Sequence, residues 1–342
     1  MARTSPNPVL VEAWRGPLLE NVHRGSVAIV ASDGALIEGW GDVDRLILPR
    51  SSYKILQALP LVESGAADAF SLGAKELALA CASHSGAPIH TEPVAGLLKR
   101  LDLGEPDLLC GRQTPQDKTA RTALFSSGGK PNQLHNNCSG KHAGFLTLSR
   151  HLGASSRSYV DVDHPVQIAA CDAISEVAQY DARTAFGLDG CSAPNFAIPL
   201  RALATAMARL ATPATLKGAR RAAVERLREA MVRHPDLVAG EGRACTDFMR
   251  AAADAAGHRE TVAKTGADGV FTAILPARGL GVALKIDDGS TAAAEAVMAG
   301  VLTRLGVVSP TDVRISSRVS APIRNRVNAE VGRLQLADLG AI

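Results

Sequence analysis

The first apolar run passes through Ser26-Val27-Ala28-Ile29-Val30-Ala31, breaks at Ser32-Asp33-Gly34, and resumes through Ala35-Leu36-Ile37-Glu38-Gly39-Trp40. Two such runs divided by Asp-Gly predict an antiparallel hairpin, with His23-Arg24-Gly25 leading into it. A helical period takes over at Ser51-Ser52-Tyr53-Lys54-Ile55-Leu56-Gln57-Ala58-Leu59, predicting a helix that begins near Ser51. A second helix is expected to start at a Ser71 cap, pass through Glu76-Leu77-Ala78-Leu79-Ala80 and end at Ser83-His84-Ser85-Gly86. From 88 to 256 the texture is mostly helical, with Asp163-His164-Pro165 opening one helix in the manner of a cap and an early proline. Between Lys217 and Arg233, Ala223, Leu227, Ala230 and Met231 form an apolar stripe, and Arg221/Glu225 and Glu229/Arg233 are spaced to pair. That is a solvated amphipathic helix, not a nucleic-acid patch. After Gly257 the period returns to two. Residues 260–264, 270–275 and 281–286 read as successive strands, followed by a helix over 291–305 and a short strand over 331–336.

A hairpin, a long helical insertion, then more strands and a helix imply an α+β fold, with an antiparallel sheet built from both chain ends and a helical region inserted. The expected sheet subdomain is 8–50 plus 258–342 and the helical one 51–257, together making a single catalytic unit over 1–342. At 46% hydrophobic and 21% charged residues the composition is that of an ordinary globular protein. A net charge of +3 with 4% aromatic residues supplies neither a basic field nor stacking platforms, so no nucleic-acid partner is expected. The opening Met-Ala-Arg-Thr-Ser-Pro-Asn-Pro lacks the apolar run of a secretory signal, and no later segment approaches bilayer length. A cytoplasmic location without membrane contact follows as the expectation. Six scattered cysteines with no Cys-x-x-Cys argue against a disulfide framework and read mainly as small buried hydrophobes.

The candidate chemistry begins at Ser51 and Lys54. Three positions apart on a helix they share a face, and a serine needs such a neighbouring base to act as a nucleophile. A helix amino terminus there would also favour an oxyanion. The other Ser-x-x-Lys, Ser127-Gly128-Gly129-Lys130-Pro131, is a turn with no helix to orient it. Lys264-Thr265-Gly266 at the end of a predicted strand completes two parts of the signature set of serine β-lactamases and penicillin-binding proteins, in the right chain order. The third part, Ser-Asp-Asn, is absent, and Ser83 stands where it would fall. Two pairs result, Ser51 with Lys54 and Ser83 with Lys264. Further on, Leu134-His135-Asn136-Asn137-Cys138-Ser139-Gly140-Lys141-His142-Ala143 and Asp189-Gly190-Cys191-Ser192 offer two thiols and nearby nitrogens, a set whose softness would suit zinc.

Together, His23-Arg24-Gly25, Arg50-Ser51-Ser52-Tyr53-Lys54, Ser83-His84-Ser85-Gly86, Asn136-Asn137-Cys138-Ser139-Gly140-Lys141-His142, Asp189-Gly190-Cys191, Gly240-Glu241-Gly242-Arg243 and Ala263-Lys264-Thr265-Gly266 resemble the asparaginase II family of the Rhizobium etli type. The resemblance covers essentially the whole chain, and the Asn-Cys-Ser-Gly-Lys-His run is its most specific part. It implies an L-asparagine amidohydrolase on a serine β-lactamase/glutaminase-like fold, usually a homodimer. It further implies that Ser51, Lys54, Ser83 and Lys264 are catalytic and that Cys138, Lys141 and Cys191 bind Zn2+ near the substrate. Asp189 and His142 are then neighbours suited to orienting ligands or gripping the substrate, Arg50 to meeting its α-carboxylate, and the backbone near Gly266 to holding the oxyanion. The rival expectations are a glutaminase, a β-lactamase-like serine amidohydrolase, and an inert zinc- or amino-acid-binding sensor of the same fold.

Overall fold

The computed structural model describes residues 7–338, so the opening residues 1–6, part of the segment read above as lacking a secretory run, lie outside the described residues. The chain forms two compact units. One comprises the residues up to Ser52, Pro199–Thr212, and Asp247 onward; the other comprises Tyr53–Ile198 and Pro213–Thr246.

The first unit is built on an antiparallel sheet of eight strands. Its order is Ser320–Arg324, Glu330–Leu336, Val9–Arg15, Leu18–Ala31, Leu280–Ile286, Val270–Leu275, Val262–Thr265, with Leu36–Trp40 paired to the long second strand. The two chain ends meet in it, Ala13 opposite Leu334 on one side and Ala28 opposite Ala283 on the other. Val27, Ala28, Ile29 and Val30 are all fully buried, so the sheet is covered on both faces along this strand. The helices Leu200–Ala211 and Thr291–Arg304 pack against it. Each valine or isoleucine buried there contributes about 1.5–3 kcal/mol relative to exposure. The hairpin, the three strands after Gly257, the helix beginning at Thr291 and the terminal strand fall where the hydrophobic period placed them.

The second unit is helical. Its central helix, Lys54–Glu63, is buried continuously from Lys54 to Leu61 and packs against Ser139–His151, Pro165–Ala178 and Gly218–Arg233. The last of these is the amphipathic helix expected from its stripe, with Arg221 and Glu225 3.1 Å apart on its outer face. Helix Ser139–His151 also lies close against Ala74–Ala80. At Gly140 a Cβ would stand 2.3 Å from the Leu79 carbonyl oxygen, so only glycine permits that approach.

Two helix starts differ from expectation, each for a local reason. The α-helix begins at Lys54, because Arg50–Tyr53, which carries Ser51, forms a 3-10 turn ahead of it. Ser71 adopts a left-handed φ of 53° and leaves the cap to Gly73, whose N–H donates to the Glu76 carboxylate at 3.1 Å. The helix at Pro165 opens as expected, with a cap and an early proline: His164 Nδ1 accepts from the Val166 N–H at 3.2 Å.

Candidate functional site

In the sheet unit the Ser51 turn is fastened to the strand pair that carries Lys264. The Ser52 hydroxyl donates to the Pro49 carbonyl at 2.7 Å, and Thr272 Oγ1 donates to the Ser52 carbonyl at 2.9 Å. Thr272 lies opposite Lys264 in the ladder, so one cross-strand position ties the turn to the lysine. Lys264 is 2% exposed and its Nζ donates to the Thr265 carbonyl at 2.6 Å. Gly266 explains the third letter of Lys-Thr-Gly: a Cβ there would stand 2.7 Å from the Pro49 oxygen and 3.2 Å from the Ser52 nitrogen. Its own N–H is committed to the Val270 carbonyl at 2.7 Å. Arg50 holds a φ of 55°, a left-handed conformation that costs a non-glycine residue about 1–3 kcal/mol, and its guanidinium is ion-paired with Asp268.

In the helical unit Lys54 is the centre of a buried polar cluster. Its Nζ lies 2.5 Å from the Ala82 carbonyl, 3.1 Å from Ser83 Oγ and 3.1 Å from Cys138 Sγ, with 1% of the residue exposed. Ser83 is set by its backbone, which donates to the Val238 carbonyl at 2.9 Å, and the next residue donates to Asn137 at 3.1 Å. His84 Nδ1 accepts from the Gly86 N–H at 3.2 Å, which places the ring proton on Nε2, 2.9 Å from Ser139 Oγ. Burial, and then the stacked His90 ring, hold the His84 pKa well below the usual imidazole value, so the ring stays neutral. Asn136 fixes Cys138 by accepting its backbone N–H at 2.9 Å while donating to the Cys110 carbonyl at 2.7 Å. Sequence reasoning gave no role to His84, Ser139 or Asn136, although all three lie inside the runs it quoted.

Beyond Cys138 the cluster continues through Cys191 to Lys141. The two cysteines share a hydrogen bond that, helped by Lys141, holds the Cys191 pKa down to about 4; the same bond, together with burial, pushes that of Cys138 up to about 12. Lys141 donates to Cys191 Sγ at 3.3 Å. Burial opposes its charge, but the fields of Cys191, Cys138 and Asp189 prevail and raise its pKa. The result is a thiolate–ammonium pair with one thiol proton held between two sulfurs. Asp189 accepts from Asn195 Nδ2 at 3.0 Å, and the fully buried His142 meets the Tyr159 hydroxyl through Nδ1 at 2.7 Å.

The chain matches the L-asparaginase II family model over residues 11–336. It belongs to the L-asparaginase II family. As a member of that family it is an amidohydrolase that acts on a small amide. None of the curated proteins matches this L-asparaginase II chain by sequence. Among solved structures it is similar to a β-lactamase (Mb2281c) from Mycobacterium bovis, at 14% identity over 82% of this chain and 94% of that one, with a TM-score of 0.40. The protein Mglu in its tris and glutamate form is 16% identical over 88% of this chain and 64% of that one, with a TM-score of 0.41. D-alanine carboxypeptidase AmpC from Burkholderia cenocepacia is 13% identical over 80% of this chain and 91% of that one, with a TM-score of 0.36. Among the described residues no helix of this family member is long and apolar enough to cross a membrane.

The zinc expectation is corrected by the same cluster. Among the described residues no group of three or more His, Cys, Asp or Glu side chains stands ready to hold a metal ion. Cys138, Lys141 and Cys191 supply only two sulfurs, and the nitrogen between them is a proton-bearing donor to Cys191. Two sulfurs and one amine, with no third His, Cys, Asp or Glu side chain grouped beside them among the described residues, fall short of the donor set of a zinc site. Zinc and metal binding are therefore withdrawn from the reading of this L-asparaginase II chain, as is the zinc-assisted form of its activity.

Proposed function

We propose that this protein is a serine/lysine amidohydrolase that releases ammonia from the carboxamide of a small amino acid of the asparagine or glutamine type. The observation that carries the reading is the buried Lys54 side chain, whose Nζ lies 3.1 Å from Ser83 Oγ, in the residue that directly follows the Ser51 turn. Ser51 is assigned the nucleophile and Lys54 the base that takes its proton. Ser51 Oγ bonds to the amide carbon, the C–N bond breaks, and ammonia departs with a proton returned through the lysine. Water then cleaves the ester and restores the serine. Ser83 and Lys264 are assigned to carrying the proton, Arg50, Asp189 and His142 to gripping the amino acid, and backbone N–H groups at Ser51 and near Gly266, other than that of Gly266 itself, to holding the reacting carbonyl.

The test is ammonia release from asparagine, glutamine and simple amides, with nitrocefin as a β-lactam comparison. Turnover of at least one amino-acid amide, abolished by Lys54→Met, is the expected result. No ammonia from any amide, or full activity in Lys54→Met, would overturn the reading. An acyl adduct trapped and located by mass spectrometry on Ser83 instead of Ser51 would reverse the assignment of the nucleophile.

A further inference from the structure

Two buried polar groups of the helical unit lack a full set of partners, and both line the same small cavity. Gln57 follows Lys54 by three residues in helix Lys54–Glu63 and is 2% exposed, and its amide nitrogen has no hydrogen-bond partner. Lys141, also 2% exposed, makes its one side-chain hydrogen bond to Cys191 Sγ, with Nζ 5.4 Å from the centre of the Phe145 ring. An ammonium carries three donors, so the Cys191 contact leaves two of them unmatched. Gln57 and Lys141 line a cavity of about 10 Å³ whose remaining wall is apolar, including Leu61, Ala80 and Phe145. That volume suits one object of about water size, since a single water needs roughly 10–15 Å³ and two to four polar partners.

The chemistry of the walls narrows the occupant. A cation is disfavoured by the ammonium, and any organic ligand is larger than the space. An apolar filler would leave both polar groups unmet. Water accepts from Lys141 and completes its remaining contacts with the Gln57 amide, which can present either its nitrogen or its oxygen.

We propose that this cavity is the binding site of one water molecule bridging Gln57 and Lys141, and that Gln57 is thereby a positioning residue for the line Lys141, Cys191, Cys138, Lys54. Gln57 touches no reacting atom. It acts by holding the far end of a chain of contacts whose near end is the proposed base.

The water site stands independently of the hydrolase reading, and only the kinetic effect rests on it. A crystal structure of the full chain at a resolution that shows ordered solvent is expected to place one peak within hydrogen-bond distance of both Gln57 and Lys141. Gln57→Leu is expected to lose the peak and Gln57→Glu to keep it. In ammonia release Gln57→Leu should lower kcat roughly three- to tenfold with KM little changed, and Gln57→Glu should restore it. Should Gln57→Leu fail to fold, Gln57→Met, of nearly the original length, takes its place. Absence of the peak from the unmodified protein, an anomalous signal marking chloride there, a peak retained in Gln57→Leu, or an unchanged kcat in that variant would each overturn the proposal. A protein that holds the water but turns over no amide would instead remove the hydrolase reading.

Discussion

Gly140 offers a test in which two effects of known size oppose each other. It lies in the first turn of helix Ser139–His151, where propensity alone predicts that Gly140→Ala stabilises by about 0.8–1 kcal/mol. Packing predicts the reverse. The added methyl carbon would stand 2.3 Å from the Leu79 carbonyl oxygen and 2.8 Å from its carbon, where ordinary contact begins at 3.4 Å. Both atoms belong to backbone, so relief requires the two helices to separate by about 1 Å, and overpacking of that kind costs typically 1–3 kcal/mol. The net expectation is destabilisation by up to about 2 kcal/mol. Activity should fall further than stability, because Cys138 lies immediately ahead of this helix and Ser83 just beyond Ala74–Ala80, both 3.1 Å from Lys54 Nζ. A displacement of about 1 Å at such a site can cost on the order of 100-fold in rate. Gly96 is the control: it is an exposed residue of helix Pro88–Arg100 whose added Cβ would meet nothing within 4 Å, so Gly96→Ala should stabilise. The assay is urea denaturation of both variants beside ammonia release. Equal stabilisation by the two substitutions would refute the argument from the Gly140 contact.

Other outcomes follow from the site. Folded, the Cys138/Cys191 pair loses one proton near pH 4 and keeps the other to about 12, whereas unfolded thiols titrate near pH 8.5. Between those lower limits the unfolded chain binds the extra proton, so stability rises with pH by at most about 1.4 kcal/mol per unit. Above pH 8.5 the folded state binds the extra proton and stability falls. Denaturation against pH should peak near that value, Cys191→Ser should flatten the acid limb, and a profile identical in the two proteins would contradict the assignment. Exhaustive chelation is expected to leave ammonia release unchanged, measured beside samples given zinc; loss on chelation with recovery on zinc would reinstate the metal. Thr272→Val removes the donor to the Ser52 carbonyl. It should cost about 1 kcal/mol in denaturation and lower kcat, and unchanged kinetics would separate that bond from the position of the turn.

Two elements are legible in the sequence: the 26–40 hairpin has two apolar runs divided by Asp-Gly and the 217–233 helix carries its stripe, and both form where expected. Strand Val9–Arg15, strand Ser320–Arg324 and helix Val313–Val319 were not singled out, because each is short and gains its partners from distant sequence. Ser71 misleads as a cap because a serine ahead of an apolar run resembles one whatever its backbone does, and here the backbone is left-handed. Lys264-Thr265-Gly266 was readable because each residue answers a local demand, the glycine most plainly through its approach to Pro49 and Ser52. Positions 138, 141 and 191 offer three donors, but only two are sulfurs, and whether a third His, Cys, Asp or Glu side chain folds in beside them is set by distant packing that leaves no mark on the local sequence.

The sheet has a consequence for synthesis. Leu18–Ala31 is made early, yet its partner Leu280–Ile286 emerges about 250 residues later, and at about 5–20 residues per second that is a wait of roughly 10–50 seconds. Throughout that interval Val27 to Val30 have only the hairpin arm Leu36–Trp40 beside them, with an open hydrogen-bonding edge on the other side. A nascent chain stalled or cut anywhere before residue 280 therefore carries a sticky, half-made strand pair, and its survival in a cell depends on a chaperone reaching it before another copy does.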